Sequence, residues 1–154
     1  MNPGSLRGVR TTIVIKGIQL TIFSIAFICF SYSGLWASDI DSLLATGDSL
    51  YNLNDYSLSA QYYKDAADLD SLNLDAHLKL SRSLNFEGEL ASKDSQLAIF
   101  EDARDESKKA IELNDNNADA HFQLARALGK IALFKGIFKS IGLAKQVKAQ
   151  AEMA

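Results

Sequence analysis

From Asp39 onward, apolar and small side chains recur three or four positions apart, the spacing of one face of an α-helix. Leu43, Leu44, Gly47, Leu50 and Tyr51 make a first stripe, and Tyr56, Ala60, Tyr63, Ala66 and Ala67 a second. The polar break Leu53-Asn54-Asp55 between them is a turn signal. Neither helix can bury such a stripe alone, so the two predict an antiparallel hairpin. Gly47 and Ala60 are small enough to let its backbones approach. A turn at Asp70-Ser71-Leu72-Asn73 leads into a helix holding Asp75 to Leu84. Its expected partner runs from Ala98 to Leu113, with Ile99, Ala103, Ala110, Ile111 and Leu113 inward. After Asn114-Asp115-Asn116-Asn117, a third pair starts at Ala118 and passes through Phe122, Leu124, Leu128, Ile131 and Ala132. It continues into a helix with Ile137, Ile141, Ala144, Val147 and Ala151. The pattern predicts an all-α chain of about three helix hairpins.

One stretch of this pattern occurs twice. Asp75-Ala76-His77-Leu78-Lys79-Leu80-Ser81-Arg82-Ser83-Leu84 returns as Asp119-Ala120-His121-Phe122-Gln123-Leu124-Ala125-Arg126-Ala127-Leu128, identical at six of ten positions and offset by 44. A degenerate copy lies around Asp41 to Tyr51. A fixed period of this size indicates stacked repeats. The units run about 40–73, 74–117 and 118–154. Adding 44 to Ala110 reaches Ala154, so the third unit reads as incomplete: either the last helix is its own cap or, the favoured expectation, the sequence is a piece of a longer array.

Charge and hydropathy set the first 37 residues apart. They hold Arg7, Arg10 and Lys16 and no acid, then an uncharged, mostly apolar run from Gly17 to Phe30, then small and polar residues up to Ser38. That order predicts a secretory signal peptide, cleaved after Ala37 or Ser33, or an uncleaved N-terminal anchor. In both cases the body is exported, periplasmic or tethered to the inner membrane with its body outside the cytoplasm. Cys29 follows Phe27-Ile28, whereas a lipoprotein site has a small residue before its cysteine. Residues 38–125 carry seven Lys/Arg and eighteen Asp/Glu, a net of 7 − 18 = −11. Residues 126–154 carry six basic residues against Glu152, a net of 6 − 1 = +5. The acidic body repels phosphates, so nucleic acid is not an expected partner. The basic end is either charge drift without a role or a contact with an acidic surface or with the acidic body of another copy.

Little here suggests catalysis. His77 and His121 recur at equivalent positions, which makes them packing residues with a polar edge rather than ligands. Beyond Cys29 there is no cysteine, and no His-x-x-x-His pair, so no metal site is expected. No serine sits in a Gly-x-Ser-x-Gly setting, and the glycines lack phosphate-cradle spacing. The expectation is a non-enzyme without cofactor or small-molecule substrate.

The stretch Leu43-Leu44-x-x-Gly47-x-x-Leu50-Tyr51, a turn, then Tyr56-x-x-x-Ala60-x-x-Tyr63-x-x-Ala66-x-x-Leu69 resembles a tetratricopeptide repeat. Gly47 to Ser81 spans 34 residues, that family's period, whereas Ser81 to Ala125 spans 44. The second unit therefore carries ten extra residues around Phe86 to Asp94, lengthening its helices or its turn. The family's proline after the second helix is replaced by Ser71 and Asp115. Residues 118–136 are also similar to bacterial tetratricopeptide proteins related to the regulators of microtubule dynamics.

The resemblance implies a right-handed superhelix whose first helices line a concave groove. Asp48, Tyr51 and Asn52 would face it from unit one; Leu78, Arg82, Asn85 and Phe86 from unit two; Phe122, Arg126, Gly129 and Lys130 from unit three. Arg82 and Arg126 stand at one repeat position and are suited to grip a carboxylate or peptide backbone. The alternative is that they pair with acids of the stack such as Asp75 and Asp119. The family's chaperone-binding carboxylate clamp is not matched, because Leu44 and Asp48 occupy its Lys and Asn sites. The expected function is a protein-interaction scaffold of the cell envelope that binds a protein or peptide segment in this groove. The alternative is a membrane-tethered assembly subunit that uses the apolar leader and the basic last helix.

Overall fold

The structure, a computed structural model, describes residues 39–135 and 137–154. The leader at 1–37 and the Ile137 and Lys139 side chains lie outside the described residues. Among the described residues six helices follow one another: α1 (39–52), α2 (Tyr56–Leu69), α3 (Leu74–Leu90), α4 (Lys93–Leu113), α5 (Ala118–Phe134) and α6 (Ile137–Met153). The fold is all-α and repeat-like. Each helix from α2 to α6 packs against its chain neighbours, and α3 also packs against α5.

Polar turn chemistry sets the joints. Asn54 adopts the left-handed region (φ 63°), which asparagine tolerates better than other non-glycine residues. Asp55 then caps α2 by accepting from the Leu58 amide at 3.2 Å. The next two joints are copies of one another at the level of single bonds. Asn73 and Asn117 cap α3 and α5 by accepting from the amides of Ala76 (3.0 Å) and Ala120 (2.9 Å). Asp70 and Asn114 accept from the amides of Leu72 and Asn116 at 3.0 and 3.1 Å. These side chains hold the turn without proline.

The histidines extend the same device into the core. His77 is buried, with Nε2 3.0 Å from the Ser71 carbonyl and Nδ1 2.6 Å from Glu106 Oε2. His121 is buried too, with Nε2 2.8 Å from the Asp115 carbonyl and Nδ1 2.5 Å from Gln150 Oε1. Each ring ties the start of a first helix to the turn before it and to the second helix of its own hairpin.

The extra residues lengthen the two helices, with only Ala91 and Ser92 left between them. Instead of starting at Ala98, α4 begins at Lys93, and α3 runs on to Leu90. Adding 44 to the bounds of α3 (74, 90) and to the start of α4 (93) gives 118, 134 and 137, the bounds of α5 and the start of α6. The long hairpin is therefore repeated in unit three, and unit one is the short one. Gly88 sits in the added stretch, where a Cβ would come within 2.7 Å of the Phe100 ring.

Small residues set the helix spacing throughout. Ala66, Ala76, Ala103, Ala110, Ala120 and Ala127 are fully buried. A Cβ on Gly47 would lie 2.5 Å from the Tyr63 ring, so Tyr63, rather than Ala60, is what that glycine admits. The corresponding pair in unit two is Ser81 and Ser107, whose hydroxyls meet at 2.6 Å. A second buried hydroxyl pair, Ser59 and Ser83 at 2.7 Å, joins α2 to α3. Phe122, which belongs to the apolar pattern of α5 and was also expected on the groove side, is 53% exposed.

Candidate functional site

The first helices α1, α3 and α5 bring their polar faces together. On α3, Lys79, Arg82, Phe86 and Glu89 follow one another at helical spacing; on α5, Asp119, Gln123, Arg126 and Lys130 do the same. Ion pairs close both seams. Lys79 Nζ lies 2.7 Å from Asp48 Oδ2 between α3 and α1. Between α3 and α5, Arg82 pairs with Asp119, and Glu89 takes Arg126 at 3.0 Å and Lys130 at 2.8 Å.

The two arginines at one repeat position thus have different settings. Arg82 pairs forward with the next unit's Asp119, one of the acids expected from the sequence. Arg126 pairs backward with Glu89, a residue of the added stretch that the repeat pattern did not single out. Arg126 also lies over the Phe86 ring, 3.9 Å from its centroid.

An aromatic cluster adjoins these pairs. Phe86 stacks on Tyr56 (4.9 Å between centroids, 20° between planes) and meets Tyr51 edge-on at 5.8 Å. Tyr51 and Tyr56 are 5.2 Å apart and also edge-on. Sequence reasoning found Tyr51 and Phe86 but placed Tyr56 in the hairpin core. It stands at the first position of α2, where the turn swings its ring onto the first-helix layer.

Asn85 is where structure and expectation differ most. It was expected to face the groove, yet it is fully buried in the α3–α5 seam. Its amide donates to the Gln123 carbonyl and side-chain oxygens at 3.2 and 3.1 Å, and its Oδ1 has no hydrogen-bond partner among the described residues. Position 85 lies where α5 crosses α3, so Gln123 covers it while Phe86 and Glu89 stay on the Arg126 side. Asn52 is exposed, Tyr51, Arg82 and Lys130 are partly exposed, and Arg126 is largely covered by Glu89 and Phe86.

A cavity of about 250 Å³ opens between α1, α2 and α3, lined by Asp48, Tyr51, Asn52, Tyr63, Lys79 and Arg82. Tyr63 donates to Asp48 Oδ1 at 2.6 Å. Burial and this bond to a carboxylate push the Tyr63 phenol far above its ordinary value. Burial alone would raise Asp48, but its bonds from Lys79 and Tyr63 and the charges of Lys79 and Arg82 outweigh that and leave it below the ordinary carboxylate value. Glu89 behaves alike: burial raises it, but Lys130 and Arg126 outweigh that and leave it below its ordinary value. Lys79, Arg82, Arg126 and Lys130 against Asp48, Glu89 and Asp119 give 4 − 3 = +1 on a body that is otherwise acidic. This face offers fixed cations, a hydroxyl and aromatic edges, a set suited to holding an acidic or carboxylate-bearing segment.

Among the described residues no helix is long and apolar enough to cross a membrane, and no cluster of three metal-ligating side chains occurs. No curated protein matches this chain. The family profile of regulator of microtubule dynamics protein 1-3 matches residues 43–154, a span that runs from α1 through α6 and well over half of the sequence, and the chain belongs to that family.

Proposed function

We propose that this chain is a tetratricopeptide-type interaction module of an exported protein, and that it holds a partner's acidic segment along its first-helix layer. The observation that carries this reading is the Asp48–Arg82 cavity, with Lys79 and Arg82 at its wall and exposed Asn52 and half-buried Tyr51 beside it. A ligand carboxylate there competes with Asp48 and Asp119 for cations already aligned by the helices, so little side-chain ordering is needed on binding. Tyr51, Phe86 and exposed Phe122 add apolar surface along the same layer. The family's name refers to microtubule dynamics; the partner chemistry assigned here rests on this chain's own side chains.

Photo-crosslinking residues placed at Asn52 and at Phe122 in the cell test the reading, with exposed Asp65 on α2 as control. A discrete adduct at the first two positions, lost when Arg82 and Lys79 are both reversed to Glu, is the expected result. Equal labelling at Asp65, or adducts unaffected by the reversal, would overturn it. The mass of the mature protein tests export separately: a start near Ser38 marks a cleaved signal, a retained Met1 the tethered form.

A further inference from the structure

A further cleft belongs to the second helices, away from the first-helix layer. It has a volume of about 540 Å³ and lies between α2 and α4, above α3. Its floor is apolar: Ala60, Leu80 and Leu84, with Leu58 39% exposed at the edge. Its rim carries Asp55, Glu87, Asp102, Asp105 and Glu106 against one cation, Lys64, which turns to Asp68 at 2.5 Å. Asp105 is held by Arg104 at 2.7 Å and Glu106 by Lys109 at 2.9 Å. Asp102 makes no ion pair among the described residues. Burial, with Asp105, Glu106 and Glu101 nearby, raises its pKa. A wall with an unanswered carboxylate over an apolar floor suits a segment that brings both a cation and an apolar side chain.

The same chain carries such a segment. Among the described side chains of α6, Ser140, Leu143, Val147 and Gln150 are the more covered, and Gln150 is fixed to His121. On the other side Ile141, Lys145 and Lys148 follow at positions i, i+4 and i+7 and are exposed, Ile141 by 57%. We infer that the α2–α4 cleft of one copy receives the Ile141–Lys145–Lys148 stripe of α6 from a second copy, Ile141 against Leu80 and Leu84 and the two lysines against Asp102 and its neighbours. The volume lies within the roughly 300–1,000 Å³ range that holds a small set of side chains or a compact ligand, so the contact takes the stripe and not the whole helix. Its strength is largely electrostatic and therefore salt-dependent. Reciprocal contacts close a two-fold dimer, and a single contact per copy extends into a chain.

Sedimentation of the purified chain against protein concentration, in low and in high salt, tests this. The expected result is self-association at low salt that weakens with added salt. Asp102→Lys with Asp105→Lys, and separately Lys145→Glu with Lys148→Glu, each weaken it by about tenfold or more. Mixing the two variants restores hetero-association, because a basic cleft then meets an acidic stripe; that recovery also shows that both variants are folded. Monomer under all conditions overturns the inference, as does association that survives both reversals. Vesicles of anionic lipid provide the remaining arm: a chain that binds them through Lys145 and Lys148 while staying monomeric assigns the stripe to membrane and overturns the contact between copies.

Discussion

Glu106 Oε2 stands 2.6 Å from Nδ1 of His77, while the ring's Nε2 is 3.0 Å from the Ser71 carbonyl oxygen. A carbonyl only accepts, so Nε2 carries a hydrogen; Nδ1 can then meet a carboxylate only with a proton between them. At the equivalent His121 the partner is the amide of Gln150, which can turn its NH₂ toward Nδ1 and donate. The chain thus contains two solutions to one packing problem.

Glu106→Gln is therefore expected to be tolerated, since it copies the unit-three solution into unit two. Glu106→Leu leaves Nδ1 without its partner in a buried setting and costs about 1–3 kcal/mol. Urea denaturation of both variants checks this. Equal losses for Gln and Leu would show that the bond to His77 contributes nothing specific.

Glycines divide into two kinds by what surrounds them. Gly47→Ala puts a Cβ 2.5 Å from the Tyr63 ring, which is buried and tied to Asp48, so it cannot swing away freely. The expected loss is about 1–3 kcal/mol, the range for overpacking. Gly129 lies inside α5 with nothing within 4 Å of its Cβ position. Gly129→Ala gains helix propensity and is expected to add roughly 0.5–1 kcal/mol. Thermal unfolding of the pair, run side by side, reads both signs at once.

Much of this architecture was readable in the sequence because it is periodic. The 44-residue offset between Asp75 and Asp119 returns as matched caps, matched turns and matched histidine bonds. What escaped was aperiodic or depended on two helices at once. Glu89 is in the added stretch and has Leu133 as its counterpart 44 residues on, so no repetition flagged it, yet it anchors Arg126 and Lys130. Phe100 lies inside the expected helix but off its expected inward face, and it is buried because Gly88 on α3 makes room for its ring. Asn85 has groove-like spacing from Arg82, but the α3–α5 crossing buries it against Gln123, and only a packed pair of helices reveals that. Tyr56 joins the first-helix layer through the left-handed turn at Asn54, whose consequence for ring direction no spacing rule carries.

Acid is expected to act on the carboxylates with opposite signs. Asp48 and Glu89 have folded-state values below their ordinary ones. Their contribution to stability is present above the ordinary carboxylate range and is lost as pH falls through the folded values. Asp102 is raised, by burial and by its acidic neighbours, so its ionised form opposes folding; that penalty is absent below its ordinary value of 3.8 and present once pH has risen through the folded value. Asp102→Asn is thus expected to raise the urea midpoint at neutral pH and to leave it unchanged at about pH 3. A midpoint that falls at neutral pH would show that Asp102 is paired in solution.

Arg126 separates charge from shape. Its guanidinium pairs with Glu89 at 3.0 Å and lies 3.9 Å from the centre of the Phe86 ring. Lysine keeps the charge toward Glu89 but loses the planar group that covers the ring. Arg126→Lys is expected to cost about 0.5–2 kcal/mol, the range for a cation over an aromatic face between exposed and desolvated settings. In a Phe86→Leu background the same change should cost much less, because the ring it covers is gone. A double-mutant cycle on urea unfolding measures the coupling directly. Additive losses would place the worth of Arg126 in its ion pair alone, and the aromatic cluster of Tyr51, Tyr56 and Phe86 would then stand without its cation.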